Sequence, residues 1–234
     1  MTRPHLLLLL ADQMRPDALA QAATPHLDAL AARGVRFDNA YCASPLCQPS
    51  RACIVTGRYP TQHGVHGNMN EPIASQERLD TYPSQLQRAG YYTAMIGKHH
   101  YYDRWAVGMD VLEDDGDLQG YGYDHVWQVD DDHLNNQDRY TRFLQDIGKL
   151  SLFQEMARKR AWDAGALRPD EFDDGYIGET AVRFIEAYQD EAPLYLQVGF
   201  LGPHPPYWAP GDYATMYDPA KMQPPLAVDD PERV

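Results

Sequence analysis

Cysteine is scarce in this chain, and the few cysteines present do not indicate a disulfide framework. There are three in 234 residues, Cys42, Cys47 and Cys53. An odd number at such close spacing is not typical of a secreted fold held together by disulfides. No Cys-x-x-Cys pair of the kind used by zinc ribbons occurs. A zinc site formed by these cysteines with His63 or His66 is therefore the weaker interpretation, and Cys42 and Cys53 are predicted to be packing residues.

Positive charge and long hydrophobic runs are also under-represented. Lysine and arginine number 20 against 34 aspartates and glutamates, which gives a formal net charge of -14. This balance argues against nucleic acids and anionic membranes as partners, because both bind basic surfaces. Residues 6–11 are apolar, but the run is too short for a membrane span or a signal peptide, and Asp12 follows it directly. These absences predict a cytoplasmic protein with no membrane or nucleic-acid partner.

The residues that are present predict one globular α/β domain. Hydrophobic residues make up 44% of the chain and charged residues 23%, which is ordinary for a soluble protein with a substantial core. Residues 5–11 are typical of a buried parallel strand that delivers Asp12 at its carboxyl end. A helix capped by Thr24, with Pro25 in its first turn, is expected to end at Gly34. Further strands are predicted at residues 35–41, 91–96 and 194–200, and further helices at residues 83–89 and 174–188.

The segment Cys47-Gln48-Pro49-Ser50-Arg51, followed by Thr56-Gly57-Arg58-Tyr59-Pro60, carries the strongest chemical signal. Proline suits the first turn of a helix because it has no N–H to lose, so Pro49 places Cys47 at or just before a helix N-terminus. The free N–H groups and the dipole of such a terminus attract anions. We therefore expect a negatively charged substrate to bind beside Cys47.

This segment resembles the signature of the formylglycine-dependent sulfatases, and other blocks of the chain resemble the same family in the same order. The similarity extends from the first residues to about residue 220 and is weakest around residues 101–172. It implies the alkaline-phosphatase-like fold, a mostly parallel sheet between helical layers, here incomplete at its C-terminal side. Residues 1–234 would form the N-terminal part of one catalytic domain, with a loop-rich insertion around residues 101–172. The other matching blocks are residues 3–12, Thr24-Pro25-His26-Leu27-Asp28, residues 34–41, Gly64-Val65-His66-Gly67-Asn68, Gly97-Lys98-His99-His100 and Gly202-Pro203-His204-Pro205-Pro206-Tyr207.

The resemblance implies a nucleophile that is made after synthesis. In the family, a maturation enzyme oxidises the signature cysteine, here Cys47, to formylglycine, and the hydrated aldehyde carries two hydroxyls. One hydroxyl attacks the sulfate ester, and deprotonation of the other later expels sulfate. A plain serine would instead remain sulfated, because a sulfate ester on the enzyme is stable.

Other residues take catalytic roles by the same resemblance. Arg51 would hold the nucleophile and a neighbouring carboxylate through charge-assisted hydrogen bonds. Lys98 would contact a sulfate oxygen, and His100 would hydrogen-bond the nucleophile or protonate the leaving group. His204 corresponds to a second donor to the substrate oxygens, and Asn68 to a neighbouring substrate contact.

The metal site implied by the resemblance consists of Asp12, Gln13 and the modified Cys47, with Ca²⁺ as the expected ion. The Asp-Gln pair resembles the branch of choline sulfatases and phosphonate monoester hydrolases. Sulfatases complete this site with a later Asp-Asn or Asp-His pair, and none follows His204 here. We therefore expect the native polypeptide to continue beyond Val234, and the 234 residues alone to bind calcium weakly and to be nearly inactive.

Three functions remain open from the sequence. The first is hydrolysis of a small-molecule or saccharide sulfate monoester through formylglycine at Cys47. A second is hydrolysis of phosphonate monoesters or phosphodiesters by the same nucleophile, which Asp12-Gln13 favours, although Lys98 with His100 fits the sulfatase version better. The third is a catalytically silent module that serves only in folding or interaction.

Aromatic residues are frequent in the region of weakest similarity, beside several acidic residues. Such loops shape the leaving-group pocket in this fold, and an aromatic and acidic wall suits a sugar or a cationic alcohol. Core packing is the alternative interpretation, and the sequence favours neither. The aromatic residues concerned are Tyr102, Trp105, Tyr121, Tyr123 and Trp127.

Overall fold

The centre of the fold is a four-stranded sheet in which every pair of neighbouring strands is parallel. The computed structural model describes residues 3–68, 73, 80–102, 116–130 and 138–222. The strands are β1 (Leu6–Leu10), β2 (Tyr92–Gly97), β3 (His125–Gln128) and β4 (Leu194–Gly199). Their order is β1-β4-β2-β3. The predicted strands at residues 5–11, 91–96 and 194–200 are confirmed to within one residue at each end.

Helices connect the strands. The helices predicted to begin at Pro25, at residue 83 and at residue 174 are confirmed, although the Thr24 hydroxyl makes no capping hydrogen bond to the backbone. None of the helices in the described ranges is long and apolar enough to cross a membrane. They are α1 (Pro16–Leu19), α2 (Pro25–Ala31), α3 (Cys47–Thr56), α4 (Pro60–His63), α5 (Tyr82–Arg88), α6 (Gly116–Gln119), α7 (Arg139–Asp146), α8 (Leu150–Lys159) and α9 (Asp173–Ala187), with 3₁₀ turns at Gly211–Thr215 and Pro219–Lys221.

Apolar side chains fill the space on both faces of the sheet. Successive residues of a strand point to opposite faces, so both faces of a central strand must be covered. In β2, Ala94 and Ile96 pack in a buried cluster with residues of α7, α8 and α9. Met95, between them, packs in a second cluster with residues of α3. The sheet therefore lies between helical layers, as the resemblance implied.

The prediction that the first strand is buried is wrong for most of its side chains. β1 lies at an edge of the sheet and pairs only with β4 among the described residues. Leu6, Leu7 and Leu9 are 37%, 56% and 49% exposed. An apolar run alone cannot distinguish an edge strand from a central one, because that depends on which other segments pack beside it. Asp12, two residues after β1, is nevertheless buried.

The strand predicted at residues 35–41 is also wrong. These residues form turns and irregular backbone and belong to none of the four strands. Val35, Phe37 and Tyr41 are 78%, 80% and 91% exposed. Alternating apolar residues favour a strand only where a neighbouring strand and a core are available, and no described element covers these side chains.

The aromatic residues of the region around 101–172 are mainly core residues. Tyr102, Tyr121 and Tyr123 are at most 2% exposed and pack with β2 and α3 on one face of the sheet. Trp127 lies in β3 beneath the guanidinium of Arg139. Trp105 falls outside the described residues. Where it is described, this region contributes β3 and helices α6, α7 and α8 to the fold.

β2 and β4 approach each other closely where they end. Gly97 has φ +90°, a conformation that side-chain-bearing residues rarely adopt, and the Lys98 amide donates to Gly199 O at 2.8 Å. A Cβ atom on Gly199 would lie 2.1 Å from Lys98 O. Glycine at positions 97 and 199 therefore allows the close approach that positions the backbone of Lys98.

We expect Gly199→Ala to lower the free energy of unfolding by about 3 kcal/mol or more, because backbone atoms must shift to admit the methyl group. Gly178→Ala is the matched control. It lies within α9, where the nearest atom to the added Cβ is 3.9 Å away, so we expect it to be neutral or to stabilise by up to about 1 kcal/mol. Urea unfolding of both variants measures the difference. Equal stabilities would show that the close approach does not exist in solution.

Candidate active site

Three of the predicted site residues follow the carboxyl ends of three neighbouring strands. Asp12 follows β1, Lys98 follows β2 and His204 follows β4. In an open parallel sheet these ends meet at one edge, which is where such folds place ligands. A backbone hydrogen bond from Asp12 N to Gly202 O, 3.0 Å long, joins the first and third of these segments. The prediction that β1 delivers Asp12 at its carboxyl end is confirmed.

Cys47 begins α3, as the position of Pro49 predicted. Its Sγ lies 3.8 Å from Asp12 Oδ1. The N-terminus of this ten-residue helix therefore faces the carboxyl edge of the sheet, and its backbone N–H groups provide positive partial charge beside Cys47.

Asp12 is the centre of a buried group of charges. The Lys98 ammonium lies 2.6 Å from Asp12 Oδ2, and Arg51 Nη2 lies 3.7 Å from the same oxygen. The three residues are at most 7% exposed. Two buried cations beside one carboxylate leave the site with excess positive charge, which favours an anionic ligand.

Arg51 also fixes the segment that follows β2. Its Nη1 donates to Lys98 O at 2.6 Å and to His99 O at 3.5 Å. One buried guanidinium thus connects α3, the end of β2 and Asp12. Toward Asp12, Arg51 forms an ion pair at 3.7 Å, which is too long for the predicted hydrogen bond. Its predicted contact with the nucleophile stays a prediction.

Asn68 contacts the helix that carries the nucleophile. Its Oδ1 accepts a hydrogen bond from Gln48 N at 3.0 Å, so this side chain satisfies one of the first N–H groups of α3. The Gln48 side chain is buried and donates to Tyr101 O. Sequence reasoning assigned Asn68 only a substrate contact and missed this support of the helix.

A divalent cation has a partial ligand set here. Donor atoms of Asp12, Cys47 and His204 lie within 4.8 Å of one another, the one such group of three found in the described part of the chain. Calcium prefers about six to eight oxygen ligands, so one carboxylate and a modified residue 47 fit it only in part. His204, predicted as a substrate contact, joins this cluster. Cys53 lies apart from it, 3.3 Å from His63, and the zinc interpretation gains no cluster within these ranges.

Gln13 and His100 occupy unusual backbone positions next to the site. Gln13 has φ 61° and is exposed, immediately after the buried Asp12. His100 has φ 48° and lies two residues after Lys98, partly buried. Non-glycine residues rarely adopt positive φ, and such positions are concentrated at functional sites. The metal role of Gln13 and the proton-transfer role of His100 stay predictions.

Asp174 is a further residue of this region that sequence reasoning missed. Its carboxylate accepts from Leu201 N at 2.7 Å and from Gly202 N at 3.0 Å. Gly202 O in turn accepts from Asp12 N, and His204 is two residues further along. Asp174 therefore anchors the segment that carries His204. The available signal was an acidic pair in the first turn of a helix, which by itself indicates only a favourable helix start.

Burial raises the pKa of Asp174 to about 6, and the neighbouring Asp173 carboxylate adds to the shift. Because the folded pKa lies above the unfolded value, the folded protein binds more protons between about pH 4 and 6, and stability falls as pH rises through that window. We expect the wild type to lose about 2 to 3 kcal/mol across it relative to Asp174→Asn, which cannot titrate. Urea unfolding at pH 4 and pH 7 tests this, and parallel pH profiles of the two proteins would contradict it.

Comparison with known proteins places this geometry in context. The sequence model of the family described as Sulfatase matches residues 4–226. An arylsulfatase from Clostridium perfringens is 31% identical over 242 residues, which cover 97% of this chain and 49% of that protein. A choline-sulfatase from Rhizobium meliloti is 31% identical, with 92% of this chain and 41% of that protein covered. The chain thus spans about half the length of the curated relatives it matches.

Solved structures agree with the architecture. A phosphonate monoester hydrolase of Agrobacterium radiobacter superposes with a TM-score of 0.74 at 27% identity, covering 95% of this chain and 45% of that one. A phosphonate monoester hydrolase from Silicibacter pomeroyi gives the same TM-score at 24% identity. The predicted fold, a parallel sheet between helical layers, is confirmed.

Proposed function

This chain belongs to the sulfatase family, and we propose that it hydrolyses sulfate monoesters, with water, to an alcohol and sulfate. One observation carries the proposal: Cys47 begins α3 with its Sγ 3.8 Å from Asp12, whose carboxylate lies between Lys98 and Arg51. A helix N-terminus beside two buried cations suits a tetrahedral anion. Because the chain spans about half of its relatives, the activity is proposed for the protein that contains these residues.

The nucleophile in this proposal is formylglycine at position 47, produced by a maturation enzyme. When hydrated, this residue supplies one hydroxyl for attack and a second for release of sulfate. The backbone supports the arrangement, because α3 aims its N-terminus at the reacting position and Asn68 holds the first turn through Gln48 N.

Four side chains have the remaining roles in the proposed reaction. Lys98 and His204 donate hydrogen bonds to sulfate oxygens, which stabilises the charge that develops as the ester bond breaks. His100 donates a proton to the departing alcohol oxygen. Arg51 keeps Lys98 in place through its carbonyl and balances the charge of Asp12.

A divalent cation, with Ca²⁺ expected, would be held by Asp12, Gln13 and the hydroxyl oxygens of the modified residue 47. When bound, it would supply positive charge that shields the substrate oxygens and favours an ionised nucleophile. The Lys98 ammonium already neutralises Asp12 Oδ2 without the ion.

The substrate is proposed to be a sulfate ester of a small molecule or a saccharide. Relatives named for their substrates include the choline-sulfatase and an N-acetylglucosamine-6-O-sulfatase from Bacteroides thetaiotaomicron that is 32% identical over 178 residues. Hydrolysis of phosphonate monoesters or phosphodiesters by the same nucleophile is the second candidate. Asp12-Gln13 and the Agrobacterium radiobacter structure favour it.

A ranking of substrates tests the choice between the two candidates. Given protein produced with a maturation enzyme, we expect a higher kcat/KM for an aryl sulfate than for a phosphonate monoester or phosphodiester with the same aryl group. The reason for this expectation is that Lys98 and His100, together with Arg51, fit the sulfatase pattern better than the alternative. The matched aryl group removes leaving-group effects from the comparison. A reversed ranking would support the second candidate, and absence of turnover on all three would support a silent module.

A further inference from the structure

A cavity of about 950 Å³ lies beside the charged group just described. It is bounded by the segment after β4, by α8 and by the start of α9. His204 forms part of its wall, and Ala11 and Met14, on either side of Asp12, line it as well. Its volume lies within the range of about 300 to 1,000 Å³ that is typical of small-molecule sites.

The cavity is placed to receive the alcohol part of a bound ester. Donor atoms of His204, Asp12 and Cys47 lie within 4.8 Å of one another. Lys98 and Arg51, the two buried cations, lie beside Asp12 in this cluster, so the negatively charged sulfate group is expected to bind next to them. The space that adjoins His204 is then the direction in which the rest of the ester extends.

Aromatic rings dominate the walls of this cavity. Phe153, Phe172, Phe200 and Trp208 line it. The Trp208 ring is held in place, because Trp162 stacks on it with a centroid distance of 5.1 Å and an interplanar angle of 7°. Trp162 is itself fixed by a hydrogen bond from Nε1 to Ala209 O at 2.8 Å. A rigid ring surface of this kind favours a planar aromatic ligand.

The polar groups that line the cavity do not match a saccharide. Asp174 uses both carboxylate oxygens to accept from backbone N–H groups, and Asp173 Oδ1 accepts from Asp174 N. Arg160 lines the same cavity and offsets one of these two negative charges. A saccharide needs several hydrogen-bonding partners, and these carboxylates offer few, because three of their four oxygens already accept from backbone N–H groups.

We propose that this cavity, called here the Trp208 cavity, binds the alcohol part of the ester and selects an aromatic alcohol over a saccharide. The proposal rests on the proposed function for its place in catalysis. Recognition of the alcohol itself depends only on the cavity, and it can be measured without turnover.

The direct test is calorimetric titration of the protein that contains these residues with 4-methylphenol and methyl glucoside. We expect 4-methylphenol to bind at least about tenfold more tightly than methyl glucoside, and Trp208→Ala to weaken its binding about tenfold. Tyr213→Ala, an exposed aromatic residue that does not line the cavity, is the matched control and is expected to bind like the wild type. Circular dichroism shows whether each variant is folded.

Ala157→Phe provides a second variant should Trp208→Ala not fold. Ala157 lines the cavity and is half-buried, so a phenyl group there occupies the space that the ligand requires. We expect it to abolish 4-methylphenol binding. Equal affinity for the two probes, tighter binding of methyl glucoside, or unchanged binding in both cavity variants would overturn the proposal.

Failure of this proposal is distinguishable from failure of the proposed function. If matured protein binds 4-methylphenol selectively but hydrolyses no sulfate ester, the proposed ligand of the cavity is supported and the proposed sulfatase activity is contradicted. If it hydrolyses a hexose sulfate with a higher kcat/KM than an aryl sulfate and does not bind 4-methylphenol, the sulfatase activity is supported and the aromatic selectivity is contradicted.

Discussion

Replacing Cys47 by alanine will reduce the hydrolysis of an aryl sulfate by at least about a thousandfold, because it removes the atom from which the nucleophile is made. The site around it will remain, since the Cys47 side chain is small and only partly buried. The measurement is a single-turnover assay with protein in excess over substrate, which detects slow catalysis. Mass spectrometry of the peptide that contains residue 47 shows in parallel whether the wild type carries formylglycine.

Cys47→Ser is the matched control for this prediction. A serine hydroxyl at the same place can attack but cannot expel the sulfate it accepts, so we expect at most one turnover per chain. Steady turnover by the serine variant would contradict the two-hydroxyl mechanism. An unmodified thiol in wild-type protein of full activity would contradict the assignment of the nucleophile.

Replacing Lys98 by methionine will lower the free energy of unfolding by about 3 kcal/mol, because it leaves the buried Asp12 carboxylate without its nearest cation. The Lys98 ammonium is 2.6 Å from Asp12 Oδ2, whereas Arg51 is 3.7 Å away. Urea unfolding with an unchanged m-value provides the measurement. The same variant is expected to lose activity through the loss of a donor to the sulfate.

Two controls separate the buried pair from a general effect of charge removal. Lys159→Met breaks an exposed pair with Glu155, also 2.6 Å long, and is expected to cost less than about 0.5 kcal/mol. Asp12→Asn combined with Lys98→Met removes the unpaired carboxylate, and Arg51 keeps its hydrogen bonds to the backbone carbonyls of residues 98 and 99. The double variant is therefore expected to be more stable than Lys98→Met alone. A cost for Lys98→Met no larger than that for Lys159→Met would show that the buried pair is not formed.

Most of the residues that meet at this site could be predicted from the sequence, because they lie in short segments with a clear local pattern. Pro49 fixes the start of α3 and therefore the position of Cys47, and both are neighbours in sequence. Asp12 and Lys98 follow strands that their own apolar runs predict, and parallel strands end at one edge whatever the rest of the fold does. The blocks that resemble sulfatases therefore identified the residues that the structure brings together.

Residues that act through tertiary contacts were not accessible in this way. In the sequence, Asp174 has the pattern of an ordinary residue in the first turn of a helix. Its position beside the site is evident only from its hydrogen bonds with the backbone of Leu201 and Gly202. Trp208 and Trp162 are 46 positions apart in sequence, with α9 and β4 between them, and their rings stack in the folded chain. No local pattern encodes such a pairing.

The sequence by itself determined three of the four strands (β1, β2 and β4), the helices α2, α3, α5 and α9, and the signature at the start of α3. It did not predict β3, α7 or α8. The predicted elements follow from backbone hydrogen bonding and from apolar periodicity, which act between near neighbours. The tertiary structure alone decided that β1 is an edge strand, that residues 35–41 form no strand, and that the tyrosines near β2 are core residues while other rings surround the cavity. Each of these depends on which distant segments supply a hydrogen-bonding partner or cover an apolar face, and burial is a property of the assembled chain.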